Sequence, residues 1–226
     1  MTRIENNIEL LSLHIPKTAG TSFRNILKTV YGRKSVIRFD INECSGITVN
    51  GKTFNKNKLS HNIKVAHGHF EFATVFSYLN IDNEVPVITW LRDPVERVIS
   101  NYFYLKTILT GLFKEDKELM IVGHRMFRSL TEFAAADINR NRMSEFLHGA
   151  SLKDFLFVGL VEYFDDDLKY LAEIFKWNQI HYIKHNATGK LKEEVPEKIK
   201  AQILKWNEKD ALLYQEALEL RKQRFV

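Results

Sequence analysis

The segment Leu10-Leu-Ser-Leu-His-Ile-Pro-Lys-Thr-Ala-Gly-Thr-Ser-Phe23 constrains the fold more than any other stretch of this chain. An apolar run from Ile8 to Ile15 reads as a strand, and Pro16 breaks it into a short turn holding Lys17 and Gly20. The chain then enters an amphipathic helix whose apolar positions are Phe23, Ile26, Leu27, Val30 and Tyr31. Strand, lysine-bearing turn and helix start form the physical recipe for gripping a phosphate. The first helical N–H groups lack partners, and the positive end of the helix dipole points at the anion. Gly20 is expected to let backbone approach closely, while Thr18, Thr21 and Ser22 offer hydroxyl donors and Lys17 adds a mobile full charge.

The spelling argues against a nucleoside triphosphatase. A Walker A loop has Gly immediately before its Lys and another five positions earlier; here those positions are Pro16 and Leu11. The apolar run ending in Asp93 has the outline of a strand presenting a magnesium ligand. Yet Asp93-Pro94-Val95-Glu96 places Asp at a cap, Pro at the first helical position and Glu three residues after the cap. That is a complete helix start, so capping explains Asp93 better than metal binding. A magnesium-dependent, kinase-like phosphoryl transferase is the weaker alternative, and a non-catalytic nucleotide-binding relative is a second.

With 226 residues and 45% hydrophobic content, the chain can bury one substantial core, and a single domain over 1–226 is expected. A net charge of +5 suits anionic ligands, although ordinary solubility explains so modest an excess equally well. The single cysteine, Cys44, excludes an intramolecular disulfide and fits a reducing compartment. No run approaches the ~20 apolar residues that span a bilayer, and the N-terminus has no signal-peptide core. A cytoplasmic protein without a membrane span or nucleic-acid partner is expected, its oligomeric state left open.

Along the chain, strand-like runs alternate with helices. A short run at Val36–Phe39 is followed by a polar stretch, 42–62, that reads as loop or hairpin. Ile63–Ala66 reads as a strand delivering His67 and His69 at its end; a helix around Phe72–Leu79 and a strand at Pro86–Leu91 follow. The helix from Pro94 carries Val95, Val98, Ile99, Tyr102 and Leu105 on one core-facing stripe. Residues 113–148 are polar and helix-prone, so a helical segment near 110–150 could be a lid or an acceptor-binding insertion. Its Arg125, Arg128, Arg140 and Arg142 read mostly as a solvated face. Phe155–Val161 and Ile180–Ile183 are further strand candidates, a helix buries Phe164, Leu168, Leu171 and Phe175, and Pro196 opens a helical pair, 196–206 and 208–223. Alternation of this kind predicts an α/β fold: a P-loop-like, three-layer α/β/α arrangement around a central parallel sheet. Ligands of such sheets sit outside the carboxyl ends of the strands, where Lys17, His69 and Arg92 would arrive together.

Three motifs, in order, give the chain a family resemblance. His14-Ile-Pro-Lys-Thr-Ala-Gly-Thr-Ser-Phe23 resembles the 5′-phosphosulfate-binding loop of carbohydrate sulfotransferases, in particular the heparan sulfate 2-O-sulfotransferase-like branch. Trp90-Leu-Arg-Asp-Pro-Val-Glu-Arg-Val-Ile-Ser-Asn-Tyr102 is similar to that family's RDPxxRxxSxY motif for the donor 3′-phosphate, and Ala66-His-Gly-His-Phe70 to the segment holding its catalytic base. Val158-Gly-Leu-Val-Glu162 and Asn186-Ala-Thr-Gly-Lys190 are weaker echoes, and residues 110–150 match least well. Many eukaryotic relatives are Golgi membrane proteins, so a chain without a span looks like either a bacterial, cytosolic version, the favoured reading, or a trimmed piece of a longer protein.

The resemblance implies 3′-phosphoadenosine 5′-phosphosulfate as donor co-substrate, no metal, and a hydroxyl acceptor, by family expectation on a glycan. On it, Lys17 stabilises the bridging oxygen, helped by the N–H groups of Thr18, Ala19, Gly20, Thr21 and Ser22. Arg92 clamps the 3′-phosphate with Ser100, although Glu96 is an alternative partner for Arg92 and Ser100 could be a plain surface residue. His69 is the leading general base and His67 its understudy; two apart in a strand, they point to the same side. Asn186, Thr188 and Lys190 carry over as donor-binding residues, though an ordinary surface turn explains them too. Arg97 reads as half of a structural ion pair, and Glu162 as an acceptor-binding residue, a structural cap or an ion-pair partner. Phe70, Phe72 and Tyr104 could stack on sugars near the cleft, although core packing is the better default.

Overall fold

Five parallel strands and an antiparallel hairpin make one sheet in the computed structural model, which describes residues 3–42, 46–81, 84–112, 129–177 and 194–224. The strands are β1 (Ile4–Glu5), β2 (Leu10–Leu13), β3 (Val36–Asn42), β4 (Gly46–Val49), β5 (Lys52–Thr53), β6 (Val65–Gly68), β7 (Leu79–Asn80), β8 (Val87–Leu91) and β9 (Phe157–Leu160). The main sheet has the order β5-β4-β3-β6-β2-β8-β9, parallel from β3 to β9 and antiparallel at the β3-β4-β5 edge. The stretch expected as loop or hairpin is this edge hairpin, and β1 and β7 form a small parallel ribbon that the sequence pattern did not suggest.

The helices among the described residues are α1 (Gly20–Tyr31), α2 (Phe72–Tyr78), α3 (Pro94–Leu112), α4 (Leu130–Ala135), α5 (Arg142–Phe146), α6 (Phe164–Phe175), α7 (Glu197–Trp206) and α8 (Glu208–Arg224). Strand alternation decides which helices cover which face. Leu10, Val36, Val65, Ile88 and Phe157 pack under Phe23 and Leu27 of α1 and Phe164, Leu168 and Leu171 of α6. Leu11, Leu13, Phe39, Ala66, Leu91 and Leu160 face the other way, onto Val75, Met143, Phe146, Tyr214 and Ala217. Those two layers of helix around a sheet are the α/β/α architecture that the alternation predicted. A third cluster joins Val95, Val98 and Ile99 of α3 to Ala134 and Ile203. Leu105, expected on that stripe, is exposed. Full burial of a side chain such as Phe23 contributes about 1.5–3 kcal/mol.

Several boundaries shift by one to two residues, and one shift matters. β6 starts at Val65 and ends at Gly68, so His67 lies inside the ladder, opposite Ser12, while His69 lies just beyond its end. The expected strand Ile180–Ile183 lies outside the described residues.

Candidate active site

The turn after β2 is held open by its own backbone. His14 N–H donates to the Gly68 carbonyl at 2.8 Å, extending the β2–β6 ladder by one residue. The buried Thr18 hydroxyl donates to the Ile15 carbonyl at 2.9 Å, closing the turn. Lys17 (φ 72°) and Ala19 (φ 61°) are left-handed, a conformation that costs a non-glycine residue about 1–2 kcal/mol. The left-handed backbone of the turn therefore falls on Lys17 and Ala19 and not on Gly20. What Gly20 supplies is space for a side chain: a Cβ there would stand 1.9 Å from Nε2 of His14. Ala19 caps α1 with backbone alone, no side chain caps the helix, and its first turn holds no acidic residue. Thr21 is exposed and Ser22 half-buried at this helix start.

β6 brings two histidines to the same place with different fates. His67 is buried, its Nδ1 lies 2.9 Å from the Ser12 hydroxyl, and it makes a further hydrogen bond to the Gly20 backbone. Burial, reinforced by Arg24, drives its pKa down to about 3. His69 is half-buried and pinned from both sides of its backbone. Its N–H donates to Asp40 Oδ1 at 2.8 Å, and its carbonyl accepts from Ile41 N–H at 2.9 Å. Its Nδ1 lies 2.6 Å from the His14 carbonyl, which can only accept, so Nδ1 carries the proton. Neutral His69 then keeps its lone pair on Nε2, which has no hydrogen-bond partner among the described residues. Burial lowers the His69 pKa below the ordinary 6.5, against the opposing pull of the His14 carbonyl and of Asp40. Gly68 is obligatory between the two: a Cβ there would lie 1.9 Å from the Phe39 carbonyl oxygen.

The cations converge from β2 and β8. The half-buried Lys17 ammonium sits 3.8 Å from the centroid of the Tyr104 ring, and burial, then the neighbouring Arg92, lower its pKa below 10.5. Arg92 Nη1 donates to the Lys17 carbonyl at 3.3 Å, and Nη2 lies 3.7 Å from Glu96. Its Nε is buried without a hydrogen-bond partner among the described residues. Ser100 is half-buried on α3, one turn before Tyr104. Tyr104, expected in the core, is 50% exposed and forms the platform under Lys17 instead.

α3 begins fully satisfied. Asp93 Oδ1 accepts from Val95 N–H at 3.0 Å and Glu96 N–H at 2.9 Å, as its cap spelling predicts. Glu162 Oε1 accepts from Asp93 N–H at 3.0 Å and Oε2 from the Tyr214 hydroxyl at 2.9 Å. Acceptor binding, a cap and an ion pair are the uses open to Glu162 from sequence, and these contacts are those of a cap. Arg97 is buried, donates to the Asn139 carbonyl at 2.9 Å and lies 3.9 Å from Asp210, with burial lowering its pKa to about 10. Its acidic neighbour is a neighbour in space, more than a hundred residues along the chain.

The structure thus gathers Lys17, Thr18, Ala19, Gly20, Thr21, Ser22, His67, His69 and Arg92 at the carboxyl edge of β2, β6 and β8, with Ser100 on the adjoining helix. Arg140 pairs with Asp137 and Arg142 with Glu145, which takes both into local ion pairs. Asn186, Thr188, Lys190, Arg125 and Arg128 lie outside the described residues. Sequence reasoning passed over His14 and Asp40. Parity carried the signal for His14, because it follows Ser12 by two as His69 follows His67. Among the described residues, no three His, Cys, Asp or Glu side chains converge on a point that could hold a metal ion. A cavity of about 320 Å³ lies at the opposite strand edge, lined by Glu5, Asn6, Lys58 and Asn80; the chemistry-bearing groups are not there.

This edge of the sheet agrees with what the sequence as a whole resembles: the family model for the sulfotransferase family matches residues 1–216. The chain belongs to the sulfotransferase family. Its activity is accordingly transfer of a sulfuryl group to a hydroxyl-bearing acceptor. No curated protein matches the chain. Among solved structures, it is similar to the crystal structure of a sulfotransferase from Alicyclobacillus acidocaldarius, at 12% identity and a TM-score of 0.46, over 93% of this chain and 95% of that one. No helix among the described residues is long and apolar enough to cross a membrane.

Proposed function

We propose that this chain, acting as one domain, transfers a sulfuryl group from 3′-phosphoadenosine 5′-phosphosulfate to a carbohydrate hydroxyl, with His69 as general base. The observation that carries this reading is a half-buried imidazole, its Nε2 free and its tautomer fixed, beside a helix start that has no anion of its own. Between the two histidines, environment favours His69. His67 is buried with its Nδ1 on the Ser12 hydroxyl and a pKa near 3, which suits it to orienting Ser12 and not to taking the acceptor's proton.

The residues fit the donor's charges at two places. The bare start of α1 with Lys17 suits the phosphosulfate, and the buried Nε of Arg92, without a partner among the described residues, suits the second phosphate, with Ser100 on α3 just beyond it. The donor supplies an activated S–O bond. His69 Nε2 takes the acceptor O–H proton as that oxygen bonds to sulfur. The bond from sulfur to the bridging oxygen breaks with its electron pair left on the 5′-phosphate, where Lys17 and the α1 N–H groups balance the charge. The products are a sulfate ester, the 3′,5′-bisphosphate and a protonated His69. The polar segment with Asn186, Thr188 and Lys190 completes the donor site on this reading, and the motif order supports a place in the heparan sulfate 2-O-like branch.

Isothermal titration with adenosine 3′,5′-bisphosphate and with ATP–Mg tests the donor. Micromolar binding of the bisphosphate and weak binding of ATP–Mg are expected; tight ATP–Mg binding with none of the bisphosphate would support the kinase-like alternative.

A further inference from the structure

A third imidazole stands between the two histidines of β6. The His14 ring lies 5.0 Å from that of His67 and 4.4 Å from that of His69, with interplanar angles of 18° and 27°, so the three form one stack with His14 in the middle. The edge of the same ring fills the space at Gly20, the first residue of α1. The His14 carbonyl, in turn, fixes the Nδ1 proton of His69. One residue thus touches His69 twice and the helix start once. Among the described residues, the His14 ring nitrogens make no hydrogen bond, so the ring works through its shape.

We infer that His14 is a positioning residue for sulfuryl transfer: its flat ring is a spacer that holds His69 at a fixed distance and angle from the first turn of α1. The inference rests on the proposed role of His69 as base. It also gives Gly20 a reason independent of any ligand, because a side chain there would push the spacer out of its slot. The charged and titratable groups facing the stack are His67 on β6, His69 just past its end, Arg38 and Asp40 on β3, Lys17 in the turn, Arg24 on α1 and Arg142 at the start of α5. Apart from Asp40, which is paired with Arg38, and the neutral rings, these are cations. Together with burial they keep His14 well below its ordinary pKa, so the spacer stays neutral while the enzyme works.

The test compares His14→Ala, which removes the ring, with His14→Phe, which keeps a flat one without nitrogens. Three readouts are used: bisphosphate affinity by calorimetry, kcat for labelled-sulfate transfer with its pH profile, and the titration of His69 by NMR of histidine-labelled protein. Misplacing a catalytic group by about 1 Å costs on the order of a hundredfold. His14→Ala is therefore expected to lose about that much in kcat while keeping bisphosphate affinity. Water enters the emptied slot, so the acid limb and the His69 titration rise together toward 6.5. His14→Phe restores most of kcat and keeps the limb low. Gly20→Ala should be damaging in the unsubstituted protein and add little in the His14→Ala background, since neighbouring residues that share one space are non-additive. Equal damage from Phe and Ala, an unmoved His69 titration in His14→Ala, or additive effects at Gly20 and His14 would overturn the spacer role. If the unsubstituted protein binds no bisphosphate and transfers no sulfate, the proposed function falls and this inference with it. Normal binding and transfer with His14→Ala unchanged overturns the inference alone.

Discussion

Two helices start at the same edge of the sheet, α1 after β2 and α3 after β8, and their ends are finished in opposite ways. α3 receives carboxylates from within the protein, Asp93 on the N–H groups of its first turn and Glu162 on the cap residue itself. α1 receives none: its cap is a left-handed alanine, its first turn has no acid, and the charge beside it is the ammonium of Lys17. Helix dipoles are alike, so the difference lies in what the chain chose to supply. A start that the protein has already neutralised serves stability, while a bare start beside a desolvated lysine is prepared for an anion brought from outside. The cation carried at α3, Arg92, is consistent with this division, since it leans back to the Lys17 carbonyl and so toward α1.

Substitutions at the two helix starts should separate their roles. Lys17→Ala should cost about 10²–10³ in kcat, the scale of a lost preorganised stabiliser of developing charge. Steady-state transfer assays measure it, and near-normal kcat would mean that α1 does not face the reacting group. Arg92→Ala removes a charged hydrogen-bond donor worth about 1.5–3 kcal/mol. Bisphosphate affinity, read by calorimetry, should fall by about tenfold to a hundredfold with thermal stability little changed. Next comes a reciprocal pair. Thr21→Asp gives α1 an acid of its own, so it should raise stability by about 0.3–1 kcal/mol and weaken bisphosphate binding. Asp93→Ala strips the cap from α3, so it should lower stability by about 0.5–2 kcal/mol with much less effect on binding. Denaturant unfolding and calorimetry on both proteins decide whether the two helix starts are as different as their caps imply.

The smallest effect is on pH dependence, where both limbs should move the same way. The base must be neutral, and burial lowers His69, so activity should be lost on acidification below 6.5, not at it. The lysine must be charged, and burial with Arg92 lowers it, so the alkaline limb should fall below 10.5. A kcat/KM profile with its acid limb at or above 6.5 would remove His69 from the role of base.

The layered fold was legible because apolar runs of strand length alternate with helical spacing, and Pro16, Pro94 and Pro196 mark where the chain changes direction. The hairpin edge was half legible, its polar turn residues marking loops without fixing their pairing. At the site, the loop, the paired histidines and Asp93 could be read from local spelling. Tyr104 could not, because its partner Lys17 is brought to it only by packing α3 across the end of β2. The buried partner of Arg97 was hidden for the same reason, being carried on α8. The use of Gly20 was hidden by its context: a glycine in a phosphate-type loop suggests close approach of backbone, whereas its contact with the ring of His14 emerges only in three dimensions.

Transfer of radiolabelled sulfate from 3′-phosphoadenosine 5′-phosphosulfate to a panel of glycans and small alcohols, run side by side with the unsubstituted protein and His69→Ala, tests the central claim most directly. The account predicts label on a hydroxyl acceptor, turnover lower by about 10²–10⁴ in His69→Ala, and unchanged affinity for the bisphosphate. Undiminished turnover in His69→Ala would contradict it.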